Sequence, residues 1–172
     1  MKLSKFNLEK SIFVDANIFT FHFTAHPDFG KSSTDFLQMV ELGKIRAVSS
    51  DVVLNEVLYI SLLNRGLQFL DTNSKWKVRE RFDKDFSFVS KCYEGIQEAI
   101  DYITFLEKGG LTIVDAGHNL LVRSIEIGKR YHLWIRDAIH VATCQALGIV
   151  NIATQDKHFT KVDFLSVWQP EG

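Results

Sequence analysis

Ile12-Phe13-Val14-Asp15-Ala16-Asn17 sets a short apolar run against an acid and an amide. β-Branched and aromatic residues suit a buried strand, and Asn17 can cap a helix that begins near Ile18. The unit is strand, acidic turn, helix. Outward from it, His26-Pro27-Asp28-Phe29-Gly30 disfavours continuation of that helix. A second helix carries Phe36, Leu37, Val40 and Leu42 at roughly helical spacing and stops at Gly43. Ile45 to Val48 is a further strand, and Ser49, Ser50 and Asp51 suit the start of a helix that reaches about Asn64 and Arg65 and ends at Gly66.

From Trp76 to Leu106 the pattern changes. Phe82, Phe86, Val89, Tyr93, Ile96, Ile100 and Ile103 alternate steps of four and three, which predicts a long helix or helical pair packed along that seam and closed by Gly109 and Gly110. Leu111 to Val114 reads as a strand, His118 to Tyr131 as a helix, and Arg136 to Leu147 as a strongly apolar helix stopped by Gly148. Ile149 to Ala153 is a buried-strand pattern running towards Thr154 and Asp156, and Phe164 to Trp168 a final edge strand. Strands alternating with helices imply an α/β fold with a parallel central sheet flanked by helices. Residues 1–172 are expected to form one domain, with a helical elaboration at about 67–110.

Composition narrows the partners. Twenty basic and 21 acidic side chains leave a net charge of −1, so no global excess advertises a polyanion or a membrane. Cys92 and Cys144 lie far apart, outside any CxxC pair, which excludes a zinc ribbon and a disulfide framework. Met1 to Lys10 lacks the apolar stretch of a signal peptide, and no run approaches the roughly 20 apolar residues of a membrane span. The expectation is a cytoplasmic protein with no membrane partner.

Four acids stand where chemistry is placed. In open α/β sheets ligands bind outside the carboxyl ends of the strands, and Asp15 and Asp156 each follow a strand. Glu56 lies on the apolar face of its helix, among Val52, Val53, Tyr59, Ile60 and Leu63, and Asp137 opens the apolar segment Ala138-Ile139-His140-Val141-Ala142. An ionised carboxylate on such a face is costly unless it finds a partner or a cation. Each acid alone also has an ordinary structural reading, as a helix-terminal charge or a turn residue. Together they suit Mg²⁺ or Mn²⁺, hard cations that prefer oxygen ligands and retain exchangeable waters.

The motif order resembles that of the PIN-domain family, and within it the VapC-like toxin ribonucleases. The matching stretches are Phe13-Val-Asp-Ala-Asn-Ile-Phe19, Asn55-Glu56, Arg136-Asp-Ala-Ile-His-Val-Ala142 and Ala153-Thr-Gln-Asp-Lys-His-Phe159. The resemblance implies that Asp15, Glu56, Asp137 and Asp156 are catalytic metal ligands for Mg²⁺ or Mn²⁺, supported by the polar Asn17 and Thr154. It also implies an endoribonuclease leaving a 5′-phosphate and a 3′-hydroxyl, a homodimer, and a toxin with a protein antitoxin. Ala16 departs from the Thr common in the family, and the long 67–110 segment departs from its compact toxins. A catalytically silent PIN-like module that binds RNA or a protein is the alternative.

Other constellations are weaker. His22 and His26 share a helix spacing, but no HExxH pattern occurs and Pro27 follows. His140 and His158 lie beside the proposed metal acids, where a role in supporting those ligands or contacting phosphate is open, and a packed or solvated side chain is the better reading. Asp15 with Asn17 lacks the second Asp of haloacid dehalogenase phosphatases, and no GxGxxG or GxxxxGK[ST] is present. Lys75, Lys77, Arg79 and Arg81, with Trp76 among them, are candidates to grip an RNA backbone and stack a base, against the plainer reading of a solvated helix face.

Overall fold

A computed structural model describes residues 1–6 and 9–172. Five strands, β1 (Ile12–Val14), β2 (Ala47–Ser50), β3 (Leu111–Val114), β4 (Asn151–Ala153) and β5 (Ser166–Trp168), form one parallel sheet in the order β3-β2-β1-β4-β5. The chain steps outward from β1 through β2 to β3, then returns to place β4 on the other side of β1. Strand order therefore reverses between β1 and β4, which opens a crevice at their carboxyl ends.

Around the sheet run α1 (Ala16–Phe23), α2 (Gly30–Glu41), α3 (Asp51–Phe69), α4 (Lys75–Phe82), α5 (Phe86–Glu107), α6 (His118–Tyr131) and α7 (Ile135–Leu147). No described helix is long and apolar enough to cross a membrane. The main core gathers fully buried Phe13, Ile18, Phe19, Leu37, Ile152 and Phe159 between sheet and helices. A second, smaller cluster of Leu63, Val78, Phe88 and Cys92 lies under α4 and α5. Both cysteines are free and buried.

Several boundaries differ from the sequence expectation, each for a tertiary reason. Asp15, not Asn17, caps α1, because its own carboxylate accepts the Ala16 N–H. β2 begins at Ala47 and extends to Ser50, a polar stretch tolerated because the Ser49 hydroxyl donates to the Val14 carbonyl at 2.9 Å. β4 begins two residues later than expected, at Asn151.

The larger difference concerns Gly66. It does not end α3, which continues to Phe69. A Cβ at Gly66 would meet Val78 Cγ1 at 2.6 Å, so the glycine permits close packing rather than helix termination. The 75–107 region is a helical pair, but its buried seam is Phe88, Cys92, Ala99, Ile103 and Leu106. Of the expected seam, Phe86 is 91% exposed and Tyr93 points largely to solvent. Close approach of α5 to α3 favours small side chains: a Cβ at Gly95 would lie 3.2 Å from Arg65 Cβ. Ile103 belongs to both seams and Val89, Ile96 and Ile100 are partly buried, so the expected seam is offset from the buried one rather than unrelated to it.

Candidate active site

The reversal of strand order sets Asp15 and Asp156 near one another, since β1 and β4 are hydrogen-bonded neighbours and Asp15 N–H donates to the Ala153 carbonyl. α3 leaves the carboxyl end of β2, which carries Glu56 on its second turn back over the same edge. α7 precedes β4 and runs against it, so its first turn, with Asp137, also starts at that edge.

Asp15 is the most enclosed of the four. One carboxylate oxygen accepts the Ala16 N–H at 2.7 Å, and the other accepts both Asn17 Nδ2 and Thr154 Oγ1 at 2.6 Å. Thr154 Oγ1 in turn accepts Asn17 Nδ2 at 2.8 Å and the Asp156 N–H at 3.0 Å, and Asn17 Oδ1 accepts the Gln155 N–H. Asn17 and Thr154 thus tie the ends of β1 and β4 into one network around the Asp15 carboxylate. Burial pushes Asp15 up to about 6 despite these donors, with Asp156 adding in the same sense.

Asp137 is half-buried and is also pushed up to about 6, first by burial and then by the charges of Asp156 and Asp15. Glu56 acts in the same direction and His158 against it. The three other sequence-predicted acids therefore all bear on Asp137, and Asp156 bears on Asp15 as well. Asp137, Asp156 and His158 each present a ligand atom within 4.8 Å of the others, and His158 Nδ1 lies 3.3 Å from Asp156 Oδ1. Glu56 is met by Arg136, Nη1 to Oε2 at 3.6 Å. Four carboxylates against Arg136 and His158 leave an excess of negative charge that a hard divalent cation would balance.

Two contributors had weak sequence signals. Arg136 is adjacent to Asp137, yet its pairing with Glu56 depends on how α3 and α7 converge. His158 follows Asp156 by two residues and turns back beside it, where the Asp156 carboxylate accepts the His158 N–H. His140 is fully buried between Phe13 and Phe159, and burial holds it down at about 4, so it is a neutral packed ring near Asp15. His22 stacks on Tyr102 and is hydrogen-bonded to Thr34. The candidate substrate residues Lys75, Lys77, Arg79 and Arg81 stand apart from the acids on exposed positions of α4.

Residues 12–165 match the family model of the PIN domain. The chain belongs to the PIN domain family. Ribonuclease VapC6 of Methanocaldococcus jannaschii is 38% identical over 84 residues, covering 49% of this chain and 54% of that protein. Ribonuclease VapC2 of the same organism is 26% identical over 160 residues, covering 92% and 93%. The chain thus spans about half the length of the first relative and nearly all of the second. VapC20 of Mycobacterium tuberculosis, a sarcin-ricin loop cleaving toxin, shares the fold with a TM-score of 0.59 at 15% identity over 90% of this chain and 96% of its own. VapBC2 of Rickettsia felis, bound to a DNA fragment from its promoter, also shares the fold: TM-score 0.56, 16% identity, 94% of this chain and 99% of that one covered. The five-stranded parallel sheet and its flanking helices match the fold of VapC20.

Proposed function

We propose that residues 1–172 form one nuclease domain that hydrolyses RNA phosphodiester bonds with a divalent cation held by Asp15, Glu56, Asp137 and Asp156. The observation that carries this reading is the meeting of Asp137, Asp156 and His158 within 4.8 Å, in the field of Asp15 and Glu56, at the reversal of strand order. Kinship with two proteins named ribonucleases supports RNA as the substrate.

The donor set fits Mg²⁺ or Mn²⁺: carboxylate oxygens dominate, and one imidazole sits at the margin. When bound, such a cation supplies Lewis acidity, neutralising phosphate charge and making water nucleophilic near neutral pH. Asp137 and Asp156 would hold it from one cluster, with the exposed His158 imidazole at the edge of that cluster. Asp15 faces them from a carboxylate fixed by three donors, and Asn17 and Thr154 act as positioning residues that keep its oxygens in place. Arg136 holds Glu56 at the rim. A water oxygen joins phosphorus and the bond to the 3′ oxygen breaks, leaving a 5′-phosphate and a 3′-hydroxyl.

The same reading extends to biology. The chain acts in the cytoplasm as a homodimeric toxin restrained by a protein antitoxin, and the VapC20 toxin that shares its fold supports the toxin part of this reading. Expression alone then arrests growth, and co-expression of the partner restores it. The enzymatic claim is tested by incubating a pool of structured and single-stranded RNAs with wild type and Asp156→Asn, in Mg²⁺, in Mn²⁺ and in chelator. The expected result is metal-dependent cutting that the variant loses. No cutting by folded protein in either metal makes the chain a PIN-like binding module instead.

A further inference from the structure

The helical arm holds cations and aromatics in an order that the acidic site leaves unused. Val78 is buried against Gly66 of α3, and Phe82 packs on the same small cluster, which fixes the inward face of α4. On a helix of about 3.6 residues per turn, Trp76 then lies opposite Val78, with Lys77 and Arg79 on its flanks. Trp76 is accordingly 73% exposed.

The charges of this segment are unevenly matched. Glu80 pairs with Lys84, and Asp85 with Arg81, each at 2.7 Å. Lys75, Lys77 and Arg79 form no ion pair among the described residues. Arg79 instead donates to the Tyr59 hydroxyl at 2.8 Å, and Tyr59 is itself about half exposed, at 46%. Tyr59 is one turn along α3 from Glu56, which is paired with Arg136 at the acidic site. α3 is therefore a ruler. Val78 sits over Gly66, the Arg79 guanidinium over Tyr59, and the acids over Glu56, about 15 Å in all at 1.5 Å per residue.

We propose that this Trp76–Lys77–Arg79–Tyr59 track binds single-stranded RNA and leads it to the acids, so that α4 makes the enzyme selective for unpaired strands. The proposal rests on the ribonuclease reading of the acidic site and names its substrate class. Exposed rings flanked by cations suit a strand whose bases are free to stack while its phosphates are neutralised. A duplex offers no free base face to Trp76, and its regular backbone gives the ring nothing to hold.

The test uses a fluorescein-labelled, mixed-sequence single-stranded RNA and the same strand annealed to its complement. Binding to the full chain is followed by anisotropy in chelator, and cutting is then followed in Mg²⁺ and Mn²⁺. Trp76 and Lys77 are exposed, so their variants leave the cluster beneath intact, which circular dichroism checks. The single strand is expected to bind about tenfold tighter than the duplex, and Trp76→Ala to lose about tenfold in single-strand affinity, the scale of one stacked base. Trp76→Phe restores most of that loss, and Lys77→Gln lowers the slope of affinity against salt by about one phosphate. Equal binding of both RNAs, or affinity indifferent to Trp76, overturns the proposal even if the wild type cuts RNA. Trp76-dependent binding of the single strand without cutting in either metal upholds the track and removes the ribonuclease reading.

Discussion

The carboxyl edge of the sheet and the α4–α5 arm hold their charged groups in opposite ways. At the edge, Asp15 is enclosed by three donors and by the main core, which contains fully buried Phe13, Ile152 and Phe159. On the arm, Lys75 and Lys77 extend into solvent and Arg79 lies on Tyr59, above a small cluster of Leu63, Val78, Phe88 and Cys92. The first arrangement fixes oxygens that would otherwise repel, as metal chemistry requires. The second leaves long cationic side chains free to follow a polymer. Position is rigid where bonds would break and adaptable where a strand would be held.

The contrast predicts that damage at the edge abolishes chemistry while damage on the arm weakens capture. The largest effect is expected from Asp137→Asn, which leaves the fold intact and lowers the cleavage rate about 10²- to 10³-fold, the scale of losing one preorganised electrostatic group. Single-turnover kinetics measure it, and a loss below tenfold would remove Asp137 from the site. Next is Thr154→Val, which deletes the hydroxyl bridging Asp15 and the Asp156 N–H. Divalent-cation affinity should drop about 10- to 100-fold, as for other residues that orient ligands; calorimetric titration with Mn²⁺ decides.

Acidity gives a further effect at the edge. Asp15 and Asp137 are both pushed up to about 6, mainly by burial. Below that value a cation must displace their protons, so Mn²⁺ affinity should weaken by roughly tenfold per proton for each pH unit below 6. Titrations at pH 7.5, 6 and 5 check this, and a flat affinity would contradict it. Stability of the metal-free chain behaves differently because two signs oppose. Acids raised on folding favour the fold at low pH, and this contribution is lost as pH rises through about 6. His140, held down at about 4, favours the fold above its ordinary value and loses that contribution as pH falls. Metal affinity is therefore the sharper readout.

The smallest effect belongs to the arm. Gly66→Val forces a side chain against Val78 Cγ1 and should cost about 1–3 kcal/mol of local stability by overpacking. Native-state hydrogen exchange should show α4 and the first turns of α5 opening more readily, with β1 and β4 unchanged. Equal loosening of both regions would mean that arm and sheet unfold as one unit.

Much of the edge was legible in the sequence because its signals are local. Ile12–Val14 is a strand by composition, Gly148 stops α7 in the left-handed region at φ 65°, and the acids follow strands or open apolar helices. What escaped is tertiary. The donors to Asp15 come from both Asn17 and Thr154, 137 residues apart, and the Arg136–Glu56 pair exists only once α7 meets α3. Gly66 carries the same lesson at the backbone: by propensity it stops a helix, but inside α3 it admits Val78. On α5 the sequence marks Ile103 correctly but not Cys92 and Ala99, small residues that pack close to α3 without the apolar bulk that marks a core.

The claim on which the rest depends is that the acids constitute one divalent-cation centre. Mn²⁺ titration followed by electron paramagnetic resonance at pH 7.5, on wild type, Asp137→Asn and Asp156→Asn, tests it without any RNA. Saturable binding by the wild type, weakened at least about tenfold by each variant, is the expected result, in line with loss of a ligand. Binding of equal strength in all three proteins, or none in the wild type, would contradict it.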